Sequence, residues 1–150
     1  MTQSAEHSVP DDEDDRHEYS LTAPAEPASL ERAHALLQEV WTDHGDVDAA
    51  DRMLFEVAVT EVAGNIAEHA PDGTPLDFTL HVSVRPDRIE AEFLDTGRRA
   101  EIDLAAAAMP SEMSESGRGL AMTLAAVDEL VYRRDSNTNH WRIVRRRRLS

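Results

Sequence analysis

The chain contains no cysteine and no lysine, and only seven of its 150 residues are aromatic: two Trp, two Tyr and three Phe. Without cysteine there are no disulfides, no thiolate nucleophile and no thiolate-ligated zinc. Without lysine the P-loop and the ordinary protein kinase are excluded, because each reaches its phosphates with a lysine, and side-chain Schiff-base chemistry goes with them. No apolar run approaches the roughly 18 residues of a membrane span, and the acidic opening Met1 to Asp15 lacks the basic and apolar regions of a signal peptide. A cytoplasmic protein with no membrane contact is expected. A net charge of -15 argues against direct nucleic-acid binding, which depends on neutralising phosphates. The seven histidines are scattered, with no pair at metal-site spacing, so a histidine-ligated metal centre is not expected.

What the chain does hold fits one domain. Residues 1–16, with the run Asp11-Asp12-Glu13-Asp14-Asp15, are too acidic and too poor in bulky apolar residues to build a core, and are expected to form a disordered tail ahead of a domain over 17–150. Tyr19 and Leu21 alternate with polar neighbours and predict a short first strand over His17–Thr22. Pro24 and Pro27 interrupt the chain, and Ser29 reads as the cap of a helix whose apolar face (Leu30, Ala33, Leu36, Leu37, Val40, Trp41) runs to about Asp43. Leu76–Val84 alternates strictly, Arg85-Pro86-Asp87-Arg88 makes a turn, and Ile89, Ala91 and Phe93 alternate again, which is a hairpin. The pattern dissolves over Arg98–Glu101, a short alanine-rich helical piece is expected around Leu104–Met109, and Pro110–Ser116, polar and without periodicity, suggests a loop or lid. Gly117-Arg118-Gly119 then opens a helix from Leu120 to about Val127. Leu130–Arg134 and His140–Arg147 read as a last hairpin around Asp135–Asn139. The order predicts an α+β, two-layer sandwich with helices over a mixed, mostly antiparallel sheet.

The stretch Leu54 to Ala70 organises the rest. Leu54, Ala58, Val62 and Ile66 recur every four residues with Phe55 and Val59 beside them, the stripe that a helix lays on a core. Either Asp48 or Asp51 can cap its start. Glu61, Asn65 and His69 recur at the same spacing one position away, a polar row along the stripe's edge. Such groups either satisfy one another in a buried network or face a ligand. As ligand-facing groups, Asn65 offers a hard carbonyl oxygen to magnesium and Glu61 can take a proton from an attacking hydroxyl.

Two further signals follow in order. Asp95-Thr96-Gly97 closes an apolar strand: Asp95 can accept a hydrogen bond from an exocyclic amine such as that of adenine, and Gly97 permits close backbone approach to a flat base. Gly117 and Gly119 ahead of a helix supply unhindered amides where the helix dipole favours an anion. Together the three segments resemble the N, G1 and G2 boxes of the Bergerat-fold ATPases, and most closely the bacterial anti-sigma factor serine/threonine kinases, over about Tyr19 to Arg147. The resemblance implies the Bergerat ATP-binding fold, with ATP and Mg2+ as cofactors. It implies a catalytic base at Glu61, a magnesium ligand at Asn65, and nucleotide contacts from Asn65, His69, Asp95, Gly97, Gly117, Arg118, Gly119 and Leu120. It implies a stress-response regulator of transcription that phosphorylates an anti-sigma factor antagonist protein, sequesters a sigma factor, and forms a homodimer.

Two features depart from that pattern. Arg99 stands where the G1 box commonly carries a second glycine. The run Arg145-Arg146-Arg147-Arg148 reads as the end of an edge strand with a solvated tail, its charges discouraging further pairing. The competing reading is a non-catalytic ATP-binding module that acts by protein contact: retention of Glu61 favours the enzyme, and Arg99 favours the binder.

Overall fold

The structure, a computed structural model, describes residues 17–68, 76–97 and 115–148, the side chains of 115–120 excepted. Strand β1 (Glu18–Pro24) leads through a 3-10 turn (Pro27–Ser29) into helix α1 (Leu30–Asp43), followed by α2 (Ala49–Glu68). The hairpin β2 (Asp77–Val84) and β3 (Arg88–Asp95) comes next, then α3 (Glu115–Ala126), β4 (Glu129–Asp135) and β5 (Thr138–Arg146). The five strands form one sheet in the order β1-β2-β3-β5-β4. Every pairing among them is antiparallel, so the expected sandwich has a wholly antiparallel described sheet.

Alternation along each strand decides which face the helices cover. Register aligns Leu21, Leu80, Phe93, Trp141 and Tyr132 in one inward row, and Tyr19, Val82, Ala91, Ile143 and Leu130 in the next. Against these rows α1 buries Ala33, Leu37, Val40 and Trp41, the i, i+4, i+7, i+8 stripe of an amphipathic helix. Helix α2 is buried on more sides, through Phe55, Ala58, Val59, Val62, Ala63 and Ile66, because it lies between the sheet and its two helical neighbours. Trp41 stands edge-on to Phe55 at 6.1 Å and donates its indole N–H to Glu56 at 2.6 Å, which locks α1 to α2.

Several local expectations are corrected. Strand β1 extends through Pro24, which an edge strand tolerates because no ladder partner needs the missing N–H. Ser29 makes no side-chain cap; it sits at φ -75°, ψ -11°, already helical, because the turn from Pro27 starts the helix instead. Asp48 caps α2, its Oδ2 accepting from the Ala50 amide at 3.0 Å. The last hairpin has a two-residue loop, Ser136-Asn137, since Thr138 pairs with Asp135 and Asn139 with Arg134.

The largest correction concerns the arginine run. Strand β5 lies between β3 and β4, so it is interior and the edges belong to β1 and β4. Asp51, 0% exposed, accepts from Arg145 Nε at 2.9 Å and from the Arg148 amide at 2.8 Å, and Arg145 Nη1 donates to the Ala126 carbonyl at 2.6 Å. Arg147 bonds Asp46 and the Arg85 carbonyl. A carboxylate that would be intolerable alone in the core draws the run inward. Arg145 thereby joins the first turn of α2 and the last turn of α3 to one end of the sheet.

Two outcomes follow from this geometry. Asp51→Ala, leaving Arg145 without its buried partner, lowers stability by about 3–5 kcal/mol in urea unfolding. Ser136 has φ 57°, left-handed backbone at the first loop position where hairpins favour glycine. Ser136→Gly is therefore expected to raise the thermal midpoint by about 2–4 °C, the shift that roughly 1 kcal/mol gives a chain of this size.

Candidate functional site

The two ends of the helix-covered sheet face are both polar, and they do different things. At one end stands Arg145 with Asp51. At the other, register aligns Ala23, Phe78, Asp95, Asn139 and Arg134. Because α2 begins and α3 ends at Arg145, the two helices pack antiparallel. The later turns of α2, carrying Glu61 and Asn65, and the first turn of α3 therefore lie away from that clamp, toward the end where β3 delivers Asp95. Three segments far apart in sequence therefore fall on the side of the fold away from the clamp.

Asp95 is 8% exposed and its Oδ1 accepts two hydrogen bonds, from the Gly97 amide and from Asn139 Nδ2, each at 2.9 Å. The first is an Asx-type turn, in which a short carboxylate bonds its own backbone two residues on. Both of its bonds among the described residues fall on Oδ1, and Oδ2 carries neither. Asn139, 2% exposed, accepts at Oδ1 from the Tyr132 hydroxyl at 2.6 Å and from Arg134 Nη1 at 2.8 Å. Arg134 Nη1 also donates to the Gly97 carbonyl at 2.9 Å.

On α2, Asn65 is 5% exposed and Glu61, one turn earlier, is half-buried. Burial pushes the Glu61 carboxyl above its ordinary value, and the nearby Glu68 carboxylate adds to the shift. Gly117, Arg118, Gly119 and Leu120 lie within the opening of α3, which begins at Glu115, so the two glycines are inside the helix and not ahead of it. The first four amides of any helix lack intrahelical acceptors, and Gly117 remains among them. His69, Arg99, the helical piece expected around 104–109 and positions 110–114 of the expected lid lie outside the described residues; Glu115 and Ser116, the last two positions of that expected lid, are helical. Among the described residues no group of three or more His, Asp or Glu gathers to hold a metal, and no helix is long and apolar enough to cross a membrane.

Composition alone assigns Asn139 to the hairpin loop, so neither it nor Arg134 nor Tyr132 stands out in the sequence as a site residue. The signal was parity: Asn139 is two before Trp141 and four before Ile143, and Arg134 is two after Tyr132, so both fall on the inward face. A polar residue in phase with a buried apolar stripe marks a site or a network.

Comparison with known proteins agrees with this architecture. The chain belongs to the histidine kinase-like ATPase domain family, whose model matches residues 23–145. No curated protein sequence matches it. Among solved structures it is similar to the crystal structure of the RsbU and RsbW domains of Rv1364c from Mycobacterium tuberculosis, with a TM-score of 0.62 and 18% identity. The match covers 89% of this chain and 33% of that one, so the chain spans about a third of its length, and at this identity the likeness shows the fold alone.

The raised Glu61 carboxyl has a measurable sign. Its native pKa lies above the unfolded value, so the native state binds the extra proton, and the cost of ionising Glu61 is absent below the unfolded value of 4.5 and complete above the native one. Glu61→Gln is expected to match the wild type in urea unfolding at acid pH, and to be the more stable of the two near neutrality.

Proposed function

We propose that the chain is an ATP- and magnesium-dependent serine/threonine protein kinase acting on an anti-sigma factor antagonist, and that it sequesters a sigma factor as a homodimer. What supports this reading is that a pinned, buried acceptor (Asp95), an amide oxygen source beside a half-buried carboxyl (Asn65 and Glu61), and a helix N-terminus all fall on the side of the fold away from the Arg145 clamp. Family membership supports the nucleotide, and the RsbW domain of the similar structure supports the kind of partner.

The residues present fit the nucleotide. Asp95 Oδ2 suits the exocyclic amine of adenine, the free amides at the start of α3 suit phosphate oxygens, and Asn65 supplies one hard oxygen to magnesium. Magnesium ordinarily completes its octahedron with phosphate oxygens and water, so a single side-chain ligand suffices. Bound in this way, magnesium ATP would supply the phosphoryl group to be transferred.

The chain's own residues then have separable tasks. Asp95 and Gly97 orient the base, and Asn65 orients the metal. Glu61 accepts the proton from the hydroxyl of an incoming serine or threonine; its raised pKa brings it nearer the working pH, where a general base transfers protons most effectively. Most of the rate comes from alignment and from charge already in place, as in other phosphoryl transfers.

Calorimetry with magnesium ATP tests the binding half of this reading: the wild type binds, and Asn65→Ala loses the magnesium-dependent part. Radiolabel transfer to a candidate antagonist protein tests the rest. Glu61→Gln is expected to keep ATP affinity and lose transfer by about 10²–10⁴-fold, the usual worth of a general base. Wild-type protein that binds ATP and captures its partner with no phosphate transfer would instead establish a non-catalytic module.

A further inference from the structure

The hydrogen-bond network behind Asp95 does more than fill space. Tyr132 and Arg134 both donate to Asn139 Oδ1, so the amide has one possible orientation and its nitrogen must face Asp95. That nitrogen donates to Asp95 Oδ1 at 2.9 Å and approaches the Gly97 carbonyl at 3.4 Å, while Arg134 Nη1 holds the same carbonyl at 2.9 Å. Tyr132 is itself seated on Trp141, ring centroids 4.7 Å apart.

We propose that Asn139 and Arg134 are positioning residues for base selection, holding Asp95 and the Gly97 carbonyl so that a single acceptor, Asp95 Oδ2, meets a 6-aminopurine. The inference rests on the nucleotide reading above. A carboxylate at a strand end rotates about two side-chain bonds; two N–H donors on one oxygen stop that rotation and fix where the other oxygen lies. The Gly97 carbonyl has both lone pairs engaged by Arg134 and Asn139, so it does not compete for the amine. Base discrimination then depends on one charge-assisted hydrogen bond whose direction is set from Arg134 on β4 and Asn139 on β5, 37 and 44 residues from their partners Gly97 and Asp95 in sequence, with β5 directly beside β3 in the sheet.

The test is paired calorimetry with magnesium ATP and with the triphosphate of purine riboside, which lacks the 6-amino group, on the wild type, Asn139→Ala, Asn139→Asp and Arg134→Ala. Thermal unfolding of each variant is followed in parallel. Wild type is expected to favour ATP by about tenfold or more, the value of one hydrogen bond to a charged group. In both Asn139 variants the ratio falls to within about threefold, through lost ATP affinity, with the analogue's affinity little changed. Asn139→Asp keeps the side chain's shape and sets an oxygen against Asp95 Oδ1, so it serves if Asn139→Ala does not fold. Arg134→Ala gives a smaller loss in the same direction. Folded variants that lose stability and keep the ratio would overturn the inference, leaving the network a merely structural one. Equal wild-type affinity for the two triphosphates would overturn it while sparing the nucleotide reading, and no wild-type ATP binding would remove both.

Discussion

The rest of the structure depends on the buried ion pair between Asp51 and Arg145. A fully buried carboxylate is costly, and the attraction of a guanidinium offsets that cost only when geometry and additional donors are in place. Here the Arg148 amide and the Ala126 carbonyl complete the set, so one contact specifies the position of β5, the start of α2 and the end of α3 at once. Arg145 and Asn139 lie six residues apart on β5, an even number, and therefore share the inward face. A one-residue slip would expose both and bury the ion-pairing Arg142 face. The clamp at one end of the sheet thus sets the register that seats Asn139 against Asp95 at the other.

The absence of lysine fits this use of cations. Arg145 bridges a carboxylate and a helix-end carbonyl, Arg134 an amide oxygen and a loop carbonyl, Arg147 a carboxylate and a turn carbonyl, and Arg142 two carboxylates on different strands. Each joins elements distant in sequence, which suits a rigid fork of five donors better than a single ammonium. On the outer face Glu90, which burial alone would push up, is held below its ordinary value by Arg88 and Arg142. Acidic residues outnumber basic ones two to one, and Arg88, Arg134, Arg142, Arg145 and Arg147 each find their acceptors within the chain itself.

Much of the architecture was legible because it rests on periodicity. The four-residue recurrence through Leu54, Ala58, Val62 and Ile66 located α2, and strict alternation located β2 and β3 to within a residue or two. The order of Glu61, Asn65, Asp95 and Gly117 along the chain was also legible, since each stands at the margin of an apolar pattern. Strand order was not. Nothing local in His140 to Arg147 says that the strand inserts between β3 and β4; that follows from a pairing partner, Asp51, ninety-four positions away. Asn139 was lost for a related reason, because composition alone assigns an Asn beside Ser-Asn-Thr to a turn, whereas the network that recruits it comes from β3.

The interior position of β5 also governs how the molecule comes to be made. Strands β2 and β3 form a hairpin in the first two thirds of the chain, with β1 beside β2, but β3 then presents a row of unpaired amides and carbonyls until the last strand arrives beside it. Pairing across such a long separation is slow, since the intervening chain must be ordered first. During synthesis the nascent sheet is therefore an open template for foreign strands, and the step that closes this edge is the same one that brings Asn139 to Asp95. Molecules that have not sealed the sheet lack the inward polar row as well, so incomplete folding and loss of the candidate site are one event.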